Sequence, residues 1–295
     1  MKKIKLKEKE RKKPISLTKK KRETDSADPR PKKRFGQNFL TDTGYAAKIV
    51  ELASITPEDT IVEIGPGRGA ITRLLAETGC RVIALEVDRD LFSKLREIFS
   101  SSDNVEIIGA DALKFDFSTL ESKSGGRLKI VANLPYNVAT AILFRLFEYR
   151  HLIGKMVLMF QLEVAKRIVA LPGGRDYGAL SIFPQLYSHV SLAFKLPPGA
   201  FFPAPKVFSA VLLFEITESP RYDVKDLNML ERLIKAAFSQ RRKKLSNSVK
   251  GLLPKDADAG ALFAGAGIDA SKRPEELTIE AFCRLSNALQ MDGIA

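Results

Sequence analysis

Apolar positions along the chain fall into two alternating rhythms. Nearly unbroken apolar runs predict strands over 60–64, 81–86, 105–108, 128–131 and 155–160. Between them apolar residues recur at the spacing of one helical face: Tyr45, Ile49 and Leu52, then Ile71, Leu74 and Leu75. Leu91, Leu95 and Ile98 repeat the pattern, as do Ala141, Leu143 and Leu146. Asp42 and Asp88 stand where an N-cap side chain is needed ahead of the first and third of these segments. Such alternation predicts a Rossmann-like, doubly wound α/β domain, a largely parallel sheet with helices on both faces.

The rhythm changes later in the chain. Runs over 186–196 and 206–216, joined by a Pro-rich stretch, predict an antiparallel pair on one edge of a mixed sheet. Beyond Ser219-Pro220, Leu227, Leu230, Leu233, Ile234 and Phe238 make a helical stripe, and further short helices are expected before residue 291. The expected organisation is a basic, disordered tail over 1–33, the α/β domain over 34–218 and a small all-helical domain over 219–295. No internal repeat is present.

Composition narrows the class. Hydrophobic (45%) and charged (28%) fractions are those of a globular protein, and no run is long and apolar enough to span a membrane. The charged N-terminus has no apolar stretch behind it, so a secretory signal is not expected. Cys80 and Cys283 lie far apart, which argues against a disulfide framework and for a reducing, cytoplasmic setting, with Cys80 a small core residue. With only His151 and His189, neither a metal site nor a histidine-based triad is expected. Of the net charge of +13, residues 1–34 carry +11, from 16 Lys or Arg against 5 Asp or Glu. The body is nearly neutral. Such a tail either binds phosphate through counterion release or serves as a solubilising leader.

Candidate chemistry gathers at the predicted strand ends. Glu63-Ile64-Gly65-Pro66-Gly67-Arg68-Gly69 follows the first of the alternating strands, where glycines let the backbone pass close to a nucleotide. Its Gly-x-Gly-x-Gly spacing differs from the dinucleotide fingerprint, which disfavours a nicotinamide enzyme. Glu86 ends the next strand, placed to accept ribose hydroxyls. Asp111 closes the strand after that and is suited either to an adenine amino group or to capping a helix. Asn133-Leu134-Pro135-Tyr136 closes the following strand, as a simple turn or as a catalytic segment. Acceptors at consecutive strand ends favour a shared ligand.

Together these segments resemble the small-subunit rRNA adenine N6,N6-dimethyltransferases. Gly36-Gln37-Asn38-Phe39-Leu40, Phe201-Phe202-Pro203-Ala204-Pro205-Lys206-Val207 and Phe238-Ser239-Gln240-Arg241-Arg242-Lys243-Lys244-Leu245 extend the resemblance over residues 33–291. It implies an S-adenosylmethionine-dependent methyltransferase domain whose cofactor meets Asn38, Leu40, Gly65, Gly67, Glu86, Asp111 and Asn133. Asn133, Leu134, Pro135 and Tyr136 would hold the target amine. Phe201 would sandwich the adenine against Tyr136, with Phe202 as an adjacent substitute. Phe208 departs from the family, which more often has an acidic residue there. Arg241, Arg242, Lys243 and Lys244 would follow an RNA backbone, although a charge run can also be a solvated face. The implied substrate is a pair of adjacent adenines near the 3′ end of small-subunit rRNA in an assembling subunit, and the enzyme is expected to be a cytoplasmic monomer without metal. Two rivals remain: an adenine methyltransferase acting on large-subunit rRNA, and an assembly factor that binds nucleic acid on the same fold without catalysis.

Overall fold

A computed structural model describes residues 29–32, 35–123, 126–240, 243–253 and 259–291. Nearly all of the expected disordered tail therefore lies outside the described residues. The chain begins its regular structure with β1 (Phe39–Leu40) and α1 (Thr43–Leu52), then alternates through β2 (Thr60–Ile64), α2 (Ala70–Glu77), β3 (Arg81–Glu86), α3 (Arg89–Ile98) and β4 (Val105–Gly109). β5 (Leu128–Asn133), α4 (Ala139–Glu148), β6 (Ile153–Gln161), α5 (Leu162–Ile168) and α6 (Ala179–Tyr187) follow. β7 (Ser188–Leu196), β8 (Phe201–Phe202) and β9 (Ser209–Ile216) complete the strands. Four α-helices follow among the described residues: α7 (Leu227–Ser239), α8 (Leu245–Ser248), α9 (Ala259–Gly265) and α10 (Ile279–Met291).

The main sheet has seven strands in the order β4-β3-β2-β5-β6-β9-β7. β4 through β6 run parallel, and β9 is antiparallel to both β6 and β7. Burial explains the sequence signal. Every residue of β2 is buried, as expected of a strand covered on both faces, whereas the edge strand β7 alternates between buried or half-buried and exposed positions. Asp42 accepts the Gly44 and Tyr45 N–H groups at 2.9 and 3.1 Å, and Asp88 accepts that of Asp90 at 3.1 Å, so both act as N-caps.

Several features depart from the pattern. Leu186 and Tyr187 finish α6, so the predicted strand over 186–196 begins at Ser188, and the one over 206–216 begins at Ser209. α5 and α6 are not announced by periodicity. α6 contains Pro184, and it is tied to the end of α5 by the Gln185 amide, which donates to the Ile168 and Ala170 carbonyls at 2.9 Å each. Two apolar clusters cover the sheet. One includes Leu40, Ile49, Ile71 and Val131; the other includes Ile130, Leu143 and Ile182 and continues into Leu230, Leu233 and Phe282 of the C-terminal helices. Tyr177, Phe238 and Phe282 link the two regions, with ring centroids 6.1 and 5.8 Å apart.

β2 lies between β3 and β5, so the connections leaving its neighbours diverge at its carboxyl end. A crevice at that reversal is where doubly wound sheets hold ligands.

Candidate active site

The floor of the crevice is the turn after β2. Gly65 and Gly67 hold φ values of +69° and +59°, and a Cβ on Gly67 would meet Phe39 Cδ1 at 2.9 Å. This turn is braced from β3. The Gly67 N–H donates to Glu86 Oε2 at 3.1 Å, and the Asp88 N–H donates to Oε1 at 2.9 Å. Burial pushes the Glu86 carboxyl above its ordinary pKa, and the backbone N–H bonds oppose that rise. Each oxygen keeps acceptor capacity for a hydroxyl. Beneath the turn, Glu63 is buried with no hydrogen-bond partner for Oε2. Its desolvation, with the Glu86 charge adding, pushes it up to about 8.

One wall comes from the segment after β4. Asp111 lines the cleft while its Oδ1 accepts the Leu113 N–H at 3.0 Å, so the cap and ligand readings coexist. Leu85, Ala112, Leu113 and Ile142 supply apolar surface beside it. Such a wall, next to a carboxylate acceptor, suits an adenine ring.

The opposite wall is the turn after β5. The Asn133 Nδ2 donates to the Asn38 carbonyl at 3.0 Å, which leaves Oδ1 as the acceptor on that amide. The Pro135 carbonyl accepts the Val138 N–H at 3.1 Å and closes the turn. The Tyr136 hydroxyl lies 2.6 Å from the Ser209 Oγ, and burial pushes the phenol up. Ser209 is fully buried, so the Tyr136 ring is held from β9. From the N-terminal side, Phe35, Gly36, Gln37 and Asn38 complete the cleft.

The structure thus brings Asn38, Gly65, Gly67, Glu86, Asp111, Asn133, Leu134, Pro135 and Tyr136 to one cleft. Leu40 does not line it; its side chain is buried in an apolar cluster beside a small void under the glycine turn. Phe201 does not line the cleft either. Pairing of Leu40 with Phe201 in the β1–β8 ladder turns that ring into the core at 4% exposure, and strand alternation turns Phe202 outward at 44%. The Arg68 guanidinium stands 4.8 Å from the Phe39 ring and 5.7 Å from that of Phe202. Lys243 and Lys244 are exposed just before α8; Arg241 and Arg242 lie outside the described residues. Phe35, Gln37 and Ser209 were not among the predicted site residues, because none carries a distinctive chemical signature in the sequence. Among the described residues no cluster of three His, Cys, Asp or Glu could hold a metal, and no helix is long and apolar enough to cross a membrane.

The family model for ribosomal RNA adenine dimethylase matches residues 29–291. The chain belongs to the ribosomal RNA adenine dimethylases. This dimethylase is similar to the ribosomal RNA small subunit methyltransferase A of Pseudomonas syringae pv. tomato, at 43% identity over 90% of this chain and 97% of that protein. The protein of the same name from Moorella thermoacetica is also 43% identical, over 88% and 93% of the two chains. Among solved structures, a dimethyladenosine transferase from Plasmodium falciparum superposes with a TM-score of 0.75 at 26% identity, covering 87% of this chain and 98% of that one. The 23S rRNA methyltransferase ErmE superposes with a TM-score of 0.67 at 26% identity, covering 86% and 100%. The dimethylase uses S-adenosylmethionine, and the cleft fits that group. A Cβ on Gly67 would press into Phe39, Glu86 offers acceptors for a ribose, and one buried oxygen of Glu63 has no hydrogen-bond partner beneath.

Proposed function

We propose that this dimethylase transfers methyl groups to the N6 amines of two adjacent adenines near the 3′ end of small-subunit rRNA, within an assembling subunit. The observation that carries the reading is the Asn133 amide, fixed through Nδ2 by the Asn38 carbonyl at the mouth of the cofactor cleft. S-adenosylmethionine supplies an electrophilic methyl. The amine is a poor nucleophile, since its lone pair is delocalised into the ring. Asn133 Oδ1 and the Leu134 carbonyl accept its hydrogens, localise that lone pair and hold it in line, which is catalysis by positioning and preorganised dipoles. An amide at this position is no general base, so the proton leaves to solvent after transfer.

The target base must leave its stack to reach these acceptors. Tyr136, held by Ser209, offers one ring face, and the β8 aromatics, Phe201 and the exposed Phe202 beside it, are the candidates for the second. Asn38, Gly65, Gly67, Glu86 and Asp111 hold the cofactor. Lys243 and Lys244, with Arg241 and Arg242 beside them in sequence, track the RNA backbone. We read the helical segment over 219–295 as the part that presents them, and the enzyme as a cytoplasmic monomer without metal. Two buried free cysteines suit a reducing compartment.

The large-subunit reading is weaker because relatives named for the small subunit reach 43% identity, against 26% for the 23S enzyme. A purely assembly role is disfavoured by the intact catalytic turn. The deciding experiment is transfer from labelled S-adenosylmethionine to small subunits lacking the modification, with mapping of the product. Dimethyladenosine at two adjacent positions is expected; transfer to large-subunit RNA alone, or binding without transfer, would overturn the proposal.

A further inference from the structure

Lys32 belongs by sequence to the basic run, and its side chain is held against the folded domain. Its ammonium lies 2.5 Å from Asp88 Oδ1 and 2.6 Å from Asp90 Oδ2. The Asp88 side chain is 1% exposed, while that of Lys32 keeps 28% of its surface in solvent. The same pair of residues grips Gln37 at both ends. The Lys32 N–H donates to Gln37 Oε1 at 2.7 Å, and Gln37 Nε2 donates to Asp88 Oδ2 at 3.0 Å. The Phe35 N–H in turn donates to the Lys32 carbonyl at 3.1 Å.

Asp88 is where this network meets the cofactor cleft. Its own N–H is held by Glu86 Oε1, and it caps α3 through Asp90. Burial would raise its carboxyl, but the bonds from Lys32 and Gln37 hold it below the ordinary value. An ion pair in which the lysine still reaches solvent contributes modest stability by itself. Its effect on a ligand is larger when it decides how often one wall of a binding site is in place.

We propose that Lys32 is a positioning residue for the cofactor, clamping Gln37 against Asp88 so that Phe35, Gly36, Gln37 and Asn38 form their side of the cleft before S-adenosylmethionine arrives. This rests on the assignment of the cleft as the cofactor site. This lysine of the basic segment then serves the cofactor rather than the RNA.

The test uses the full chain with Lys32→Met, Lys32→Arg and Glu86→Ala, measuring binding of labelled S-adenosylmethionine across a salt series and methylation of unmodified small subunits. If the clamped wall is in place a tenth of the time without the pair, Lys32→Met weakens cofactor affinity about tenfold. Its KM for the cofactor rises to match, while kcat and the KM for the subunit stay within about twofold. Lys32→Arg restores affinity. Because the pair is partly buried at contact distance, added salt changes cofactor binding only slightly in either protein. Unchanged affinity in Lys32→Met beside a loss in Glu86→Ala overturns this inference alone. A change confined to the KM for the subunit assigns Lys32 to RNA and overturns it as well. If Glu86→Ala binds cofactor normally, the assignment of the cleft fails and takes the clamp with it.

Discussion

The nitrogen of the Asn133 amide is committed to the Asn38 carbonyl, which leaves its oxygen as the acceptor in the proposed chemistry. Asn133→Ala is expected to lower methyl transfer about a hundredfold or more, with cofactor binding weakened but measurable by dialysis. Phe201 and Phe202 should separate in the opposite sense. Phe201→Ala empties a core position and should cost about 3–5 kcal/mol in denaturant unfolding, whereas Phe202→Ala should spare stability and lower turnover. Glu63 carries a pH signature. Its carboxyl keeps a proton up to about 8 in the folded protein and loses it near the ordinary carboxylate value when unfolded. Native protein therefore holds the extra proton across that window, and stability falls as pH rises from about 4.5 to 8, then levels. Glu63→Gln should flatten the slope, which is on the order of a few kcal/mol across the window; an unchanged slope in pH-dependent melts would refute the assignment. At this scale the sequence is most readable where chemistry demands one residue type, as at Gly67, Glu86 and Asn133. It is least readable where orientation depends on a distant partner: the inward turn of Phe201 is set by Leu40, and the role of Ser209 by Tyr136.

The elements that place these residues are held by short-range devices with separable costs. Gly67 combines a φ of +59° with the Phe39 ring at 2.9 Å from any added Cβ. Gly67→Ala should cost about 1–2 kcal/mol from the backbone alone, and by lifting Phe39 it should also weaken cofactor binding; calorimetric titration alongside unfolding reads both. Strands such as β2 announce themselves because burial on both faces forces unbroken apolar runs. α6 does not: Leu180, Ile182, Leu186 and Tyr187 are buried around Pro184, so the segment shows neither a clean stripe nor a helix-favouring composition. β1 and β8, at two residues each, are too short to carry a pattern, and yet their pairing decides which phenylalanine reaches solvent.

For the molecule as a whole, charge and architecture are divided between different parts of the chain. Removing residues 1–28 should leave folding and cofactor affinity intact, reduce affinity for the subunit at low salt and shallow the salt dependence of binding. Carrying the truncation through residue 33 takes Lys32 as well and should add a loss of cofactor affinity, so the two truncations distinguish the functions of neighbouring lysines. The α/β order was readable from periodicity because each strand and helix needs only its own neighbours to be patterned. The continuity of the C-terminal helices with the core beneath the sheet was not, since it depends on contacts such as Tyr177 with Phe238 that no local spacing encodes. The bond from Asn133 to Asn38 spans 95 positions and ties the proposed acceptor for the target amine to a wall of the candidate cofactor cleft. In steady-state kinetics a substitution that breaks that bond is therefore expected to raise the KM for the cofactor and lower kcat together.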